Sequence, residues 1–110
     1  MERGNVTLIT AWNNGKFLPN GAGYGIQVSE QFRDEFLSVL WPSFFLCLEG
    51  EEGEVELAIN DDMFWSRGRE LRSAQIGRWL IKNGKAPWQG QPPEIYLKPL
   101  GQRRFKATLK

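Results

Sequence analysis

Asp61 and Asp62 stand side by side, and with a third carboxylate such a pair can hold a magnesium ion for nuclease work. A turn between two strands explains the pair better. A nuclease that sets a metal-binding Glu two residues before a Lys also needs an upstream Asp after Pro; Glu94 and Lys98 are four apart, so the spacing is wrong. With no His in the chain, no Ser or Cys has the usual base beside it. The glycines from Gly21 to Gly25 precede an apparent strand rather than a helix, which does not fit a phosphate-cradling loop. The single Cys47 sits within Phe44-Phe45-Leu46-Cys47-Leu48 and reads as an inert thiol in a buried strand. It cannot close an internal disulfide, and a reducing, cytoplasmic compartment suits it. These residues favour a binding role over catalysis, with neither metal nor cofactor.

The elements that would position a binding surface follow from period and punctuation. At 110 residues the chain, 1–110, is expected to form one domain. The apolar run Phe44 to Leu48 is far shorter than the roughly 20 residues of a spanning helix, and no basic-then-apolar leader opens the chain, so a soluble, unprocessed protein with no membrane partner is expected. Val6 to Trp12 reads as a strand ended by Asn13-Asn14-Gly15, and Lys16 to Gly25 as a mobile, glycine-rich surface arm. Tyr24, Ile26 and Val28 alternate as a second strand. Ser29 caps a helix in which Phe32, Phe36 and Leu40 recur, stopped by Pro42. A hairpin turns at Gly50 to Gly53 between Ser43–Glu49 and Glu54–Asn60, with Val55, Leu57 and Ile59 facing inward. Met63 to Trp65 reads as a further short strand. A second helix follows, starting between Arg69 and Ala74 and stopping at Asn83-Gly84, with Leu71, Gln75, Ile76, Trp79 and Leu80 at helical spacing. Pro87 to Pro93 is not regular structure and is a rigid loop if Trp88 packs, and Ile95 and Leu97 face Phe105, Ala107 and Leu109 in a last hairpin around Gly101. At least three of Trp12, Trp41, Trp65, Trp79 and Trp88 are expected to be buried. The order implies an α+β fold: a small, mostly antiparallel β-barrel of six to seven strands with two short helices.

Charge is distributed unevenly along the chain. Met1 to Trp65 holds three basic against eleven acidic residues, net −8, and Ser66 to Lys110 holds eleven against two, net +9. Such halves give a dipolar surface with a face that attracts a polyanion, or else interleave in space and cancel.

This order, with Tyr24-Gly25-Ile26-Gln27-Val28-Ser29-Glu30-Gln31-Phe32 as strand into helix, Met63 to Trp79 as strand into a Trp-containing helix and Glu94 to Leu109 as closing hairpin, resembles the DNA-binding pseudobarrel superfamily. That superfamily includes plant B-three transcription-factor domains and the effector-binding domains of some restriction endonucleases. Where such families have a proline between strand and helix, this chain has Ser29. The resemblance implies a sequence-specific domain for double-stranded DNA, gripping the major groove with two arms, here Asn13 to Tyr24 and Asn60 to Arg72. The first arm offers Asn13, Asn14, Lys16 and Asn20, types suited to adenine, guanine or phosphate. The second offers Trp65, Arg67, Arg69 and Arg72, whose guanidinium groups suit phosphate or guanine. Turn chemistry competes for the asparagines, and a solvated helix entrance for the arginines. An enzymatic or regulatory protein is a further candidate partner. The reading from another class is a protein-interaction module that docks through its dipolar surface and has no nucleic-acid role.

Overall fold

Apolar side chains fall at every second position of the longer strands, and in the computed structural model, which describes residues 6–110, those positions close on one core. The strands are β1 (Thr7–Asn13), β2 (Tyr24–Gln27), β3 (Ser43–Leu48), β4 (Val55–Ala58), β5 (Glu70–Arg72), β6 (Glu94–Gly101) and β7 (Arg104–Leu109). The helices are α1 (Glu30–Phe36), α2 (Asp62–Ser66) and α3 (Ala74–Lys82). The strands form one mixed sheet in the order β4-β3-β7-β6-β1-β2-β5, with every pairing antiparallel except that of β3 with β7. Its two edges, β4 and β5, approach each other, so the sheet is a nearly closed barrel. The fold is the small α+β barrel expected, with a third short helix.

Ile9, Ala11, Ile26, Phe44, Leu46, Leu57, Ile95, Leu97, Phe105 and Ala107 point inward. Phe32 of α1 plugs one end, stacked on Phe36 at 5.2 Å between ring centres and edge-on to Phe105 at 5.4 Å. On the other side α3 buries Ile76, Trp79 and Leu80, and the Trp79 indole N–H donates to the Glu49 carbonyl at 2.8 Å, tying the helix to the end of β3. Ser29 and Ser73 cap α1 and α3, each hydroxyl accepting from the amide three residues on.

The gap between the edges is bridged from within the chain. α2 lies on the connection from β4 to β5, and its Trp65 indole N–H donates to the Ile59 carbonyl at 2.7 Å. Arg33 of α1, its side chain only 7% exposed, donates to the Phe64 carbonyl at 3.2 Å and places its guanidinium 5.6 Å from the centre of the Trp65 ring. One buried cation therefore joins α1 to α2.

Several expectations are corrected. α1 ends at Phe36 rather than running on to Pro42: Leu37 turns to extended angles and buries itself, while Ser38 takes the amides of Leu40 and Trp41 into a turn. Leu40 is left 88% exposed, so its helical spacing was coincidental. Met63 to Trp65 is helical, not a strand, because the Asp61 carboxylate accepts the Met63 amide and caps a turn that outweighs aromatic β preference. The second expected helix starts at Ala74, the late end of the expected range, so Leu71 belongs to β5 (Glu70–Arg72) rather than to the helix, and Gln75 faces solvent. Of the tryptophans only Trp79 is fully buried; Trp41, Trp65 and Trp88 pack half-buried against the core. Cys47 lies on the outer side of β3, since Phe44, Leu46 and Leu48 take the inward positions. Its sulfur is 3.6 Å from a Glu54 carboxylate oxygen and 3.7 Å from an Arg104 guanidinium nitrogen. Among the described residues no helix is long and apolar enough to cross a membrane.

Candidate functional site

Side chains on one rung of adjacent strands share a face, and register brings Trp12, Gly25 and Arg72 onto one rung of β1, β2 and β5. Their neighbours Ala11, Ile26 and Leu71 form the next rung and face the core, so the Trp12 rung faces outward. Gly25 in the middle carries no side chain, and the Arg72 guanidinium lies 5.2 Å from the centre of the Trp12 ring. No other residue fits at Gly25: a Cβ there would stand 2.0 Å from the Leu71 carbonyl oxygen.

The first arm, between β1 and β2, is tied down by its own side chains rather than free. Asn13 accepts the Gly15 amide at 2.7 Å and donates to the Lys16 carbonyl at 2.9 Å, Asn14 accepts the Lys16 amide at 3.0 Å, and Asn20 accepts the Ala22 amide at 3.0 Å. The asparagines are thus spent on turns. Lys16, gripped through both its backbone groups, is exposed at the tip. Arg78 of α3 donates to the Asn20 carbonyl at 3.1 Å, and Phe17 packs edge-on to Trp88 at 5.0 Å and to Tyr24 at 5.7 Å. Burial raises the Tyr24 hydroxyl above its ordinary pKa.

The second arm runs through α2 into β5. Trp65 is turned toward the frame, its indole N–H used on Ile59 and its ring edge-on to Phe64 at 5.4 Å. Arg67 is exposed at the end of α2. Arg69 is half-buried; its carbonyl accepts the Val28 amide, and its Nε is buried without a hydrogen-bond partner among the described residues. Because β5 runs antiparallel to β2, Arg69 sits by Val28 and Arg72 by Gly25, about 10 Å apart at the usual rise per residue. Lys16 and Arg72 belong to the arm end of the sheet, and Arg69 and Arg67 follow along β5 and the loop before it. Glu70 shares the outer side of β5 with Arg72, and its carboxylate takes the Arg69 amide at 3.4 Å. The structure adds Trp12, Gly25 and Gln27 to the residues expected from sequence. The alternation of Ala11 inward and Trp12 outward was a readable signal for the first of these.

Among the described residues the two charge halves interleave at one place. Lys82 pairs with Glu51 at 3.0 Å and Arg104 with Glu54, so basic residues of the second half neutralise the acidic β3–β4 turn. The Arg104 hydrogen bond holds the Glu54 carboxyl below its ordinary pKa, and in return Glu54 raises that of Arg104. Among the described residues Lys16, Arg67, Arg69 and Arg72 take part in no ion pair with a carboxylate, and no group of three metal-ligating side chains comes together. Compared with known proteins, the chain matches no family model, no curated protein and no solved structure.

Proposed function

We propose that this chain is a non-catalytic domain that binds double-stranded DNA in a sequence-specific way, laying the outer side of β1, β2 and β5 and its two arms against the major groove. The observation that carries the reading is the Trp12–Gly25–Arg72 rung, with cations beside it that make no ion pair among the described residues. In this reading Lys16, Arg67, Arg69 and Arg72 meet phosphates or guanine, Asn13, Asn14 and Asn20 hold the first arm in shape, and Trp65 holds the second. The likeness of the element order to the DNA-binding pseudobarrel superfamily supports the same role. The chain is taken as cytoplasmic, working alone or beside an enzymatic or regulatory protein.

Phosphate neutralisation makes binding salt-dependent, so affinity for random and selected duplexes should fall by orders of magnitude between about 50 and about 200 mM salt. Fluorescence anisotropy at the two concentrations tests this, and failure to bind any duplex at the lower one removes the proposal. A protein-docking role is favoured by one observation, the Val39 and Leu40 side chains, 67% and 88% exposed beside half-buried Trp41. That role predicts no duplex binding and loss of partner association in Leu40→Glu.

A further inference from the structure

The outer side of the sheet is not flat beside the Trp12 rung. Trp12, Asn13 and Gln27 on the sheet, Phe17 from the first arm, and Trp88 and Pro92 from the 87–93 loop line an open hollow of about 210 Å³. This is smaller than the roughly 300–1,000 Å³ of sites for drug-sized ligands, so it admits a single planar ring system. Its walls are two indoles, a phenyl ring and a proline. The polar group free to address a ligand's edge is the Gln27 amide, half-buried and without a hydrogen-bond partner among the described residues. The Asn13 amide is already used at both ends within its turn. Next to the lining, the Arg72 guanidinium lies against the Trp12 ring, Lys16 comes between Gly15 and Phe17 in the chain, and Glu70 stands opposite Gln27 in the register of β2 and β5.

We infer that this hollow receives one nucleobase turned out of its stack, a role that rests on the DNA-binding reading and specifies what the surface takes from the duplex. Stacking on aromatic walls rewards any base, whichever its identity, because every base has a π-face. An amide offers both a donor and an acceptor to the base edge. Phosphates on either side of a turned-out nucleotide need cations, and Arg72 against the Trp12 wall and Lys16 on the first arm are the ones this side of the sheet offers. Unstacking is cheapest at a mismatched or unpaired base, so the site selects such positions in a duplex.

The test compares a matched duplex with the same duplex carrying one mismatched 2-aminopurine, whose fluorescence rises when it leaves the stack and changes again on contact with indole. The mismatched duplex is expected to bind about fivefold tighter, the smaller end of one base–aromatic stack. Its 2-aminopurine emission should change on binding, and Gln27→Leu should reduce the preference. Equal affinity for the two duplexes with unchanged emission overturns the inference while duplex binding stands. Absence of binding to either overturns both readings together.

Discussion

Replacing Gly77 with Ala tests whether the first arm is held by backbone contact with α3. In an ordinary helix interior the change is favourable by about 1 kcal/mol, because Ala loses less conformational freedom than Gly. Here the added Cβ would lie 2.5 Å from the Gly21 carbonyl oxygen, 2.7 Å from the Gly21 Cα and 2.7 Å from the Tyr24 Cβ. The contact is reciprocal: Gly21 has a φ of +86°, and a Cβ on it would stand 2.3 Å from the Ala74 carbonyl oxygen. Non-bonded carbons rest at about 3.5–4.0 Å, so α3 and the arm must separate by about 1 Å.

Nothing at that contact is the far end of a flexible side chain, and separation loosens Ile76, Trp79 and Leu80 beneath the helix. The cost therefore falls toward the upper part of the overpacking range, about 3 kcal/mol against a gain of about 1 kcal/mol. A net loss of about 2 kcal/mol corresponds to a drop in Tm of about 8 °C for a chain of this size. Thermal unfolding followed by circular dichroism gives the number, and Gln75→Ala on the exposed side of the same helix should stay within about 0.5 kcal/mol of the parent. A Gly77→Ala variant as stable as the parent, or more so, would show that the arm is not seated on α3 as described. If the arm moves, duplex affinity should fall with it.

Arg33→Met should cost about 2 kcal/mol in urea unfolding, from the lost hydrogen bond to the Phe64 carbonyl and the lost packing on Trp65. The carboxylates of Glu30 and Asp34 add little, being 71% and 58% exposed, and Asp34→Asn should change stability by less than about 0.5 kcal/mol. The Glu54 carboxyl, depressed chiefly by the Arg104 hydrogen bond, favours the folded state above its ordinary value of 4.5, and that contribution is lost as pH falls through the lowered value. Glu54→Gln should therefore flatten the acid limb of a stability-against-pH curve, and an unchanged limb would contradict the pairing. In the proposed complex Arg72→Ala should reduce the slope of log affinity against log salt by about 1, read from anisotropy titrations, with an unaltered slope removing Arg72 from the phosphate contacts.

The barrel's inward positions were legible because period-two alternation is a local signal. Val55, Leu57 and Ile59, and Ile95 and Leu97 against Phe105 and Ala107, point where their spacing requires. So were the cap at Ser29 and the left-handed stop at Gly84, each decided within one helical turn, whereas Ser66 and Ser73 were equally good caps for α3 and the structure uses Ser73. The errors cluster where a local signal met a competing one. Leu40 kept a helical spacing that a buried Leu37 interrupted, and Met63 to Trp65 had strand composition behind an Asp cap. Arg33, flanked by acidic residues on an amphipathic helix, gave no sign that it would be buried, because its partner carbonyl belongs to Phe64 on another element. The parallel pairing of β3 with β7 is equally invisible, since neither strand's composition names its neighbour.

The asparagines change what the proposed surface reads. Reading adenine through an Asn amide takes its oxygen and its nitrogen together, presented in one plane to the base edge. Asn13, Asn14 and Asn20 each have the oxygen on an amide of their own loop, and turning any of them toward a base would undo the turn that shapes the arm. Their contribution to recognition is then preorganisation: Lys16 is presented at a fixed place, so less ordering remains to be done when a ligand arrives. Sequence discrimination in this arrangement falls to groups outside the turns, chiefly Gln27 and Arg72, which share the outer side of β2 and β5 with Trp12. A surface of that kind owes its affinity to fixed cations and aromatic walls, and its selectivity to very few side chains.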